Sequence, residues 1–396
     1  AKWLIGTQTG NDIGWSITGP VPTVKIEYSK DNGSNYTYVI SPSVLGSSSP
    51  FTWNVPTDQD IITDHTVGLE QKARIRVMDT SLSAVYGLSS LFMVKGSITV
   101  TNPSAASPAL KVGLAQNIEW TTPCTGAATM GNVKVQFSKT GLAPWTDIAT
   151  VAFSASPYTL WTPPIDSITN NVKDAKIRVE QVINSEVVDD SDGFEIEGSI
   201  RIDSPDIDAP TWFVGDPQQI KWTPTGTFGY VKIEYSSNGF TNESATVVEA
   251  PTYANSAHNV QAAYNWTIPN LIGSNFKVRI SDVNDANVVD VSASPFVIKG
   301  KVVVTEPNGG ETWYVADTTR KIRWQVTGPV PTVRIEYSKN NGGLWTEIVP
   351  DAAAGAGAGE YTWPSVADAI SEQCLVRVSS TSDSTVNDVS NGVFFI

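Results

Sequence analysis

The stretch TGPVPTVKIEYSK at residues 18–30 returns as TGPVPTVRIEYSK at residues 327–339, and the one change in the second copy is Arg334 for Lys25. The two copies lie 309 residues apart, which corresponds to three periods of about 103 residues. Two more divergent copies lie between them. The chain is therefore a tandem array of one unit, and this organisation governs every other inference from the sequence.

Tryptophans mark the same period in all four copies. They form two recurring groups, namely Trp15, Trp120, Trp222 and Trp324, and then Trp53, Trp161, Trp266 and Trp363. Large aromatic side chains bury more area than any others and dominate the energetics of protein cores. We therefore predict that these eight tryptophans form the structural core of their units.

The length of the period indicates the kind of unit. Solenoid and propeller units run to roughly 20–50 residues, whereas an Ig-like sandwich takes about 100. Apolar residues alternate with polar ones, as at Val333, Ile335 and Tyr337, which is typical of antiparallel strands with one buried face. The sequence predicts an all-β chain of four tandem Ig-like antiparallel β-sandwich domains in an extended rod. We number them repeats 1 to 4, at residues 1–95, 96–197, 198–299 and 300–396.

Composition argues against two classes of partner. The chain of 396 residues has a formal net charge of −14. Binding to nucleic acid requires a basic face, so we expect no nucleic-acid partner. The chain has no run of the roughly 18 apolar residues that would span a bilayer, so we expect no membrane insertion. Its two cysteines, Cys124 and Cys374, occupy non-equivalent positions, and we expect Cys374 to be a buried thiol.

The sequence gives little support for catalysis. Its two histidines, His65 and His258, occupy non-equivalent positions. We find no zinc-ligand spacing, nucleophile elbow or phosphate-binding loop. We therefore expect that the protein is not an enzyme and needs no cofactor.

Calcium is the one cation that the sequence suggests. Acidic residues cluster around the end of repeat 2 and the start of repeat 3, and calcium is bound by several oxygen ligands. The candidate ligands are Asp189, Asp190, Asp192, Asp206 and Asp208. The alternative is that these carboxylates are solvated groups of edges and loops.

Two further residue types recur among the polar positions. The first is an arginine between apolar neighbours, at Arg76, Arg178, Arg279 and Arg377, for which we expect an ion pair with a carboxylate such as Asp190, Asp290 or Asp388. The second is an aromatic residue after a Gly- and Asn-rich hairpin turn, at Tyr36, Trp145 and Trp345. These aromatics are candidate glycan-binding residues, although repeat 3 has no aromatic at residues 241–245.

Repeat 4 is the clearest copy and carries a family resemblance. Its motifs are PNGGETW at 307–313, IRW at 322–324, VRIEYS at 333–338, YTW at 361–363, VRV at 376–378 and FFI at 394–396. These motifs resemble the Knh-like module of Ser/Thr-rich wall proteins and of secreted microbial surface proteins. The resemblance implies an extracellular, cell-surface setting and a module without a catalytic site.

Repeat 1 differs from the others at its start. Repeats 2 to 4 open with a glycine and a short strand, whereas Lys2-Trp3 corresponds to Thr312-Trp313, so the first strand of repeat 1 is missing. Either the chain continues in a longer array, or repeat 1 accepts a strand from a neighbouring chain and the molecules associate head to tail. We expect an extracellular structural protein of a stalk, surface layer or filament. The alternative is a carbohydrate-binding adhesin array that recognises a cell-wall glycan.

Overall fold

The protein is described here from a computed structural model. The described residues are 1–6, 11–58, 62, 72–125, 130–242 and 246–396, and for residues 246–252 only the backbone is described. The chain divides into two compact units, Ala1–Gly198 and Ser199–Ile396. The first unit contains repeats 1 and 2, and the second contains repeats 3 and 4. Every sheet of the described residues lies within one repeat.

Repeat 1 is built around one four-stranded antiparallel sheet. Its strands are β1 (Lys2–Leu4), β2 (Asp12–Ile13), β3 (Thr23–Ser29), β4 (Tyr38–Leu45), β5 (Phe51–Thr52), β6 (Arg74–Asp79), β7 (Tyr86–Leu88) and β8 (Met93–Lys95). The large sheet has the order β4-β3-β6-β7. Strand β2 pairs with β5, and β1 pairs in parallel with β8.

Repeat 2 adds a strand at its start. Its strands are β9 (Thr99–Asn102), β10 (Leu110–Lys111), β11 (Gln116–Thr121), β12 (Asn132–Ser138), β13 (Thr146–Ala152), β14 (Tyr158–Trp161), β15 (Lys176–Gln181), β16 (Asn184–Asp190) and β17 (Ile196–Glu197), with a 3₁₀ turn at Phe153–Ala155. One sheet has the order β14-β11-β9 and the other β13-β12-β15-β16, while β10 pairs in parallel with β17.

Repeat 3 has the same arrangement in the second unit. Its strands are β18 (Ser199–Ser204), β19 (Thr211–Phe213), β20 (Pro217–Thr225), β21 (Tyr230–Ser236), β22 (Thr246–Ala254), β23 (Ala262–Thr267), β24 (Gly273–Asp282), β25 (Val289–Val291) and β26 (Phe296–Lys299). One sheet has the order β18-β20-β23. The other contains β19-β26-β24-β21-β22, and β25 also pairs with β24.

Repeat 4 is the most regular sandwich. Its strands are β27 (Lys301–Glu306), β28 (Lys321–Thr327), β29 (Thr332–Ser338), β30 (Thr346–Ala353), β31 (Ala358–Thr362), β32 (Leu375–Ser380) and β33 (Asn387–Val389). The sheets have the orders β27-β28-β31 and β30-β29-β32-β33. A parallel bridge between Thr312 and Phe395 replaces the short parallel pair of the other repeats.

The alternating sequence explains how the two sheets meet. In repeat 4, Val333 and Ile335 of β29 face inward and are fully buried, as are Val376 and Val378 of β32. They join Trp324 and the other apolar residues of one continuous core. Aligned antiparallel sheets that bury one face against each other form an Ig-like β-sandwich. The fold is therefore all-β, with Ig-like sandwiches repeated along the chain.

Seven of the eight predicted core tryptophans are buried, namely Trp53, Trp120, Trp161, Trp222, Trp266, Trp324 and Trp363. Trp15 departs from the prediction, because it is only half-buried. Its indole N–H still donates a hydrogen bond to the Gly46 carbonyl at 2.9 Å, as that of Trp324 does to Ala354. The position of Trp15 in the sandwich is thus kept, although the residue is more exposed than the other seven tryptophans.

A membrane-crossing helix is not found among the described residues, because none of their helices is both long enough and apolar enough.

Candidate functional site

The predicted calcium ligands of the first unit are used by three separate partners. Asp189 accepts a hydrogen bond from the Val100 amide at 2.8 Å, and Asp190 forms an ion pair with Arg178 at 2.7 Å. Asp192 accepts a backbone amide at 3.2 Å. Each carboxylate therefore binds a different backbone amide or side chain, and the three do not form a common site.

The two remaining candidates lie in the second unit and are also used locally. Asp206 accepts the Ala293 amide at 2.6 Å, and Asp208 accepts the amide of Asp206 at 3.0 Å. Across the described ranges of the chain, no three acidic, histidine or cysteine side chains come together as a metal site. Each of the five aspartates is engaged by its own local donor, which acidic spacing along the chain did not reveal, and calcium binding by them stays a prediction.

The recurrent arginine forms an ion pair in all four repeats. Arg76 binds Glu27 and Arg377 binds Glu336, both at 2.6 Å, and Arg279 binds Glu234 in the same way. The expected partner Asp190 serves only repeat 2, whose strand has Gln136 where the others have glutamate. Asp290 and Asp388, which were also offered as partners, bind backbone amides instead.

Two of these glutamates, Glu27 and Glu234, have pKa values that are lowered in the folded protein. Burial alone would raise the pKa of Glu27, but hydrogen bonds from Lys25 and Arg76 outweigh it and lower the pKa below the usual value. The same balance, with Lys232 and Arg279, lowers the pKa of Glu234. Because the folded state favours the charged form more strongly than the unfolded chain does, both pairs contribute stability near neutral pH.

The predicted glycan-binding aromatics stack on the same arginines. In repeats 1, 2 and 4, the guanidinium carbon of the recurrent arginine lies 4.0, 4.1 and 4.4 Å from the ring centres of Tyr36, Trp145 and Trp345, respectively. Repeat 3 is not an exception, because Phe240 lies 4.6 Å from Arg279. Phe240 directly precedes residues 241–245, so the aromatic of repeat 3 comes earlier in its turn than that stretch. One face of each ring is therefore occupied by an arginine.

A side-chain turn presents each aromatic to its arginine. In repeat 4, the Ser338 hydroxyl accepts the Gly342 amide at 3.0 Å and donates to Asn340 at 2.8 Å. In repeat 1, the hydrogen bond from Ser29 is the largest of several that lower the pKa of Asp31 to about 2. These bonds fix a tight hairpin, as the Asn and Gly residues predicted.

A different site appears where the first strand of repeats 2 to 4 lies. In repeat 4, Val304 of β27 pairs with Trp324 of the same sheet. Its amide also donates to Asp388 of the opposite sheet at 2.8 Å. Both Val302 and Val304 are buried. The first strand thus closes the sandwich by contacting both sheets.

The hydrogen bond from an amide of the first strand to this aspartate, which we call the aspartate anchor, recurs in repeats 2 to 4. The Val100 amide donates to Asp189 at 2.8 Å, and the Ile202 amide donates to Asp290 at 2.7 Å. Repeat 1 has Gly87 at the position of this aspartate. Gly87 lies opposite Val77 in the sheet, just as Asp388 lies opposite Val378 in repeat 4. The change from aspartate to glycine is the sequence signal that could have singled out repeat 1.

In repeat 1 the equivalent walls enclose an open groove, which we call the strand groove. It consists of three adjoining hollows of about 200, 240 and 260 Å³. The first two share Trp15, Val77 and Gly87, and the last two share Ile13 and Ile75. The groove is therefore continuous, and it lies where β9, β18 and β27 lie in the other repeats.

The open groove explains the exposure of its walls. Val378 of repeat 4 is fully buried, whereas its counterpart Val77 is half-buried. Trp324 is 1% exposed, and its strand is paired with the strand of Val304. Trp15 has no such neighbouring strand among the described residues. Both side chains would be covered by a strand laid in the groove.

The remaining reactive residue types serve packing and turns. The imidazole Nδ1 of His258 accepts the Gly226 amide at 2.9 Å, and His65 lies outside the described residues. Both Cys124 and Cys374 are buried and free. Burial raises the pKa of the Cys374 thiol, which keeps it protonated.

No family model and no curated protein matches the chain. Solved structures do match at low identity. Titin domains I67–I69, in an E-to-A mutated variant, are 12% identical, with a TM-score of 0.29 over 76% of this chain and 99% of that chain. Sidekick-1 immunoglobulin domains 1–5 are 8% identical, with a TM-score of 0.21 over 100% and 78%. Three N-terminal domains of the outer capsid protein Hoc of bacteriophage RB49 are 10% identical, with a TM-score of 0.22 over 76% and 99%. At such TM-scores the whole chains do not superpose, so the fold assignment rests on strand order.

Proposed function

We propose that this protein is an extracellular structural repeat protein, a component of a stalk, surface layer or filament, and that repeat 1 takes up a β-strand from a neighbouring molecule. The observation that carries the proposal is the strand groove, which has the walls that the first strand covers in the other repeats. The cell-surface setting follows the resemblance of repeat 4 to wall-associated modules.

The chemistry of the groove defines its occupant. The strands in the other repeats bring branched aliphatic residues to the core at alternate positions, as Val302 and Val304 do. Added strands gain affinity from main-chain hydrogen bonds and specificity from alternate side chains. The occupant is therefore a strand from another molecule that carries the same repeat. Its contact is head to tail, and such contacts form open assemblies unless they close into a ring.

A peptide copy of the first strand of repeat 4 tests this proposal. The peptide GKVVVTEPN, residues 300–308, is added to the intact chain, and binding is measured by calorimetry and by hydrogen exchange of each repeat. We expect saturable binding and new protection confined to β2, β6 and β7. A control peptide with its apolar residues shifted by one position turns the wrong face to the core and should not bind.

Variants of the groove separate specific binding from general stickiness. Val77→Lys places a charge in the groove and should abolish binding of the peptide. Val39 lies outside the groove and is 39% exposed, and Val39→Lys provides the control for the added charge. Equal binding of both peptides, or no protection in repeat 1, would refute strand uptake. If the peptide bound only when fused ahead of Ala1, the groove would take a strand of its own chain and the neighbouring-molecule proposal would fail.

Carbohydrate binding is the second candidate function. The observation that favours it is the recurrence of a half-buried aromatic at the hairpin turn in all four repeats. Phe240 is this aromatic in repeat 3. One ring face remains for a sugar, because the arginine covers the other. A glycan array with the intact chain and its Trp345→Ala variant decides this candidate: binding that the variant loses supports it, and an array without signal refutes it.

A further inference from the structure

Two buried aspartates lie in the hairpin between β24 and β25 of repeat 3. Asp282 ends β24, and Asp285 follows in the turn before β25. Their side chains are 4% and 1% exposed, respectively. An isolated carboxylate is costly to bury, and two adjacent ones are costlier because their charges repel.

Each carboxylate has one oxygen bound and one oxygen without a partner. Asp282 Oδ1 accepts the Asn284 amide at 3.2 Å, and Asp285 Oδ1 accepts the Asn287 amide at 3.0 Å. Both Oδ2 atoms are buried and have no hydrogen-bond donor within the described part of the chain. Buried polar atoms are nearly always satisfied in native proteins, so two orphan oxygens in one turn call for a ligand.

The other repeats have at most one acidic residue at the two positions equivalent to Asp282 and Asp285. Repeat 2 has the neutral residues Gln181 and Asn184, and repeat 1 has a single acid at Asp79. In repeat 4, Asp383 corresponds to Asp285 and forms an ion pair with Lys299 at 3.0 Å. Repeat 3 alone has two acids, and neither is paired with a cationic side chain among the described residues.

We propose that the turn from Asp282 to Val288 binds a calcium ion through the free oxygens of Asp282 and Asp285. Calcium accepts carboxylate, amide and carbonyl oxygens and water in a flexible arrangement. Asn284 lies between the two aspartates and Asn287 follows them, and both are exposed, so their side chains and water could supply further oxygen ligands. This turn is separate from the five aspartates that the sequence suggested.

The chemistry of the pair also sets its behaviour without the ion. Burial raises the pKa of Asp282, and the nearby charge of Asp285 raises it further. A carboxyl group whose pKa is raised in the folded state costs stability as the pH rises through that pKa. A bound cation would remove this cost at neutral pH, because the ion compensates both charges.

Calcium titration of the intact chain, freed of metal by chelation, tests the site. We expect one saturable site by calorimetry and new protection of β24 and β25 in hydrogen exchange. Asp285→Asn should weaken binding by at least about tenfold, because it removes one ligand charge. The matched control is Asp383→Asn in repeat 4, which should leave calcium binding unchanged.

Three results would overturn the proposal. The first is the absence of saturable binding at millimolar calcium, and the second is binding that both Asp282→Asn and Asp285→Asn leave unchanged. The third is a repeat 3 that gains stability as the pH falls while calcium has no effect, which would assign a shared proton to the pair. Hydrogen exchange of repeats 1, 2 and 4 in each variant shows whether a loss of binding reflects unfolding of repeat 3 alone.

Discussion

Repeats 1 and 4 contain almost the same central strand but cover their cores differently. Strands β3 and β29 differ at one residue, Lys25 against Arg334. Both pair with the same neighbours in their sheets, and both bind the recurrent arginine through a glutamate. Repeat 4 nevertheless covers its core with β27, whereas the core of repeat 1 borders on the strand groove. The central strand therefore determines the sheet but not whether the sandwich is closed.

The difference assigns a role to the first strand. It carries few residues of the core, yet it pairs with Trp324, and its Val304 amide donates a hydrogen bond to Asp388. In repeat 1 the corresponding residues are the half-buried Trp15 and Gly87, which has no acceptor side chain. The sheets of repeat 1 therefore form without a strand at this position among the described residues.

The largest expected effect is a comparison of tryptophans. Trp324→Ala should destabilise repeat 4 by ~3–5 kcal/mol, because it leaves a large cavity in a closed core. Trp15→Ala should cost repeat 1 roughly half as much, because the indole is already partly solvated. Hydrogen exchange of the intact chain, resolved by repeat, measures both losses. Equal losses would show that the groove does not weaken the core of repeat 1.

The aspartate anchor gives the second test. Asp388→Ala should destabilise repeat 4 by ~1–3 kcal/mol, since it leaves the buried amide of Val304 without its acceptor. The reverse change, Gly87→Asp in repeat 1, has open space for the new side chain. It should hardly change the free chain but should tighten binding of the strand peptide by about tenfold. A peptide affinity that does not respond would mean that the peptide binds outside the strand groove.

The smallest effect concerns a feature on which repeats 1 and 2 differ. The lowered pKa of Glu27 means that its ion pair contributes stability above the usual glutamate pKa and loses it as the pH falls through the lower, folded value. Glu27→Gln should cost ~0.5–1.5 kcal/mol at pH 7 and should reduce the acid sensitivity of repeat 1. Repeat 2, with Gln136 at this place, is the internal control. Identical acid profiles of Glu27→Gln and the unmodified chain would contradict this assignment.

Closeness in sequence does not reveal which donor a carboxylate meets. Asp189, Asp190 and Asp192 lie close in sequence, but each has a different donor. The sequence does not distinguish Asp282 and Asp285 from other acidic residues, because two aspartates in a turn are common on protein surfaces. Burial of both oxygens is what makes the pair unusual, and burial depends on contacts that sequence spacing does not encode.

The sequence by itself determined the repeat, the strands and the inward face of each strand. These follow from the period of about 102 residues and from alternation such as Val333, Ile335 and Tyr337, because side chains of a strand point to opposite faces in turn. Tertiary structure decided which carboxylates meet which donors, that Phe240 completes the row of stacked aromatics, and that Trp15 borders a groove. These outcomes depend on distances between strands that are far apart in the chain, and local patterns carry no information about such distances.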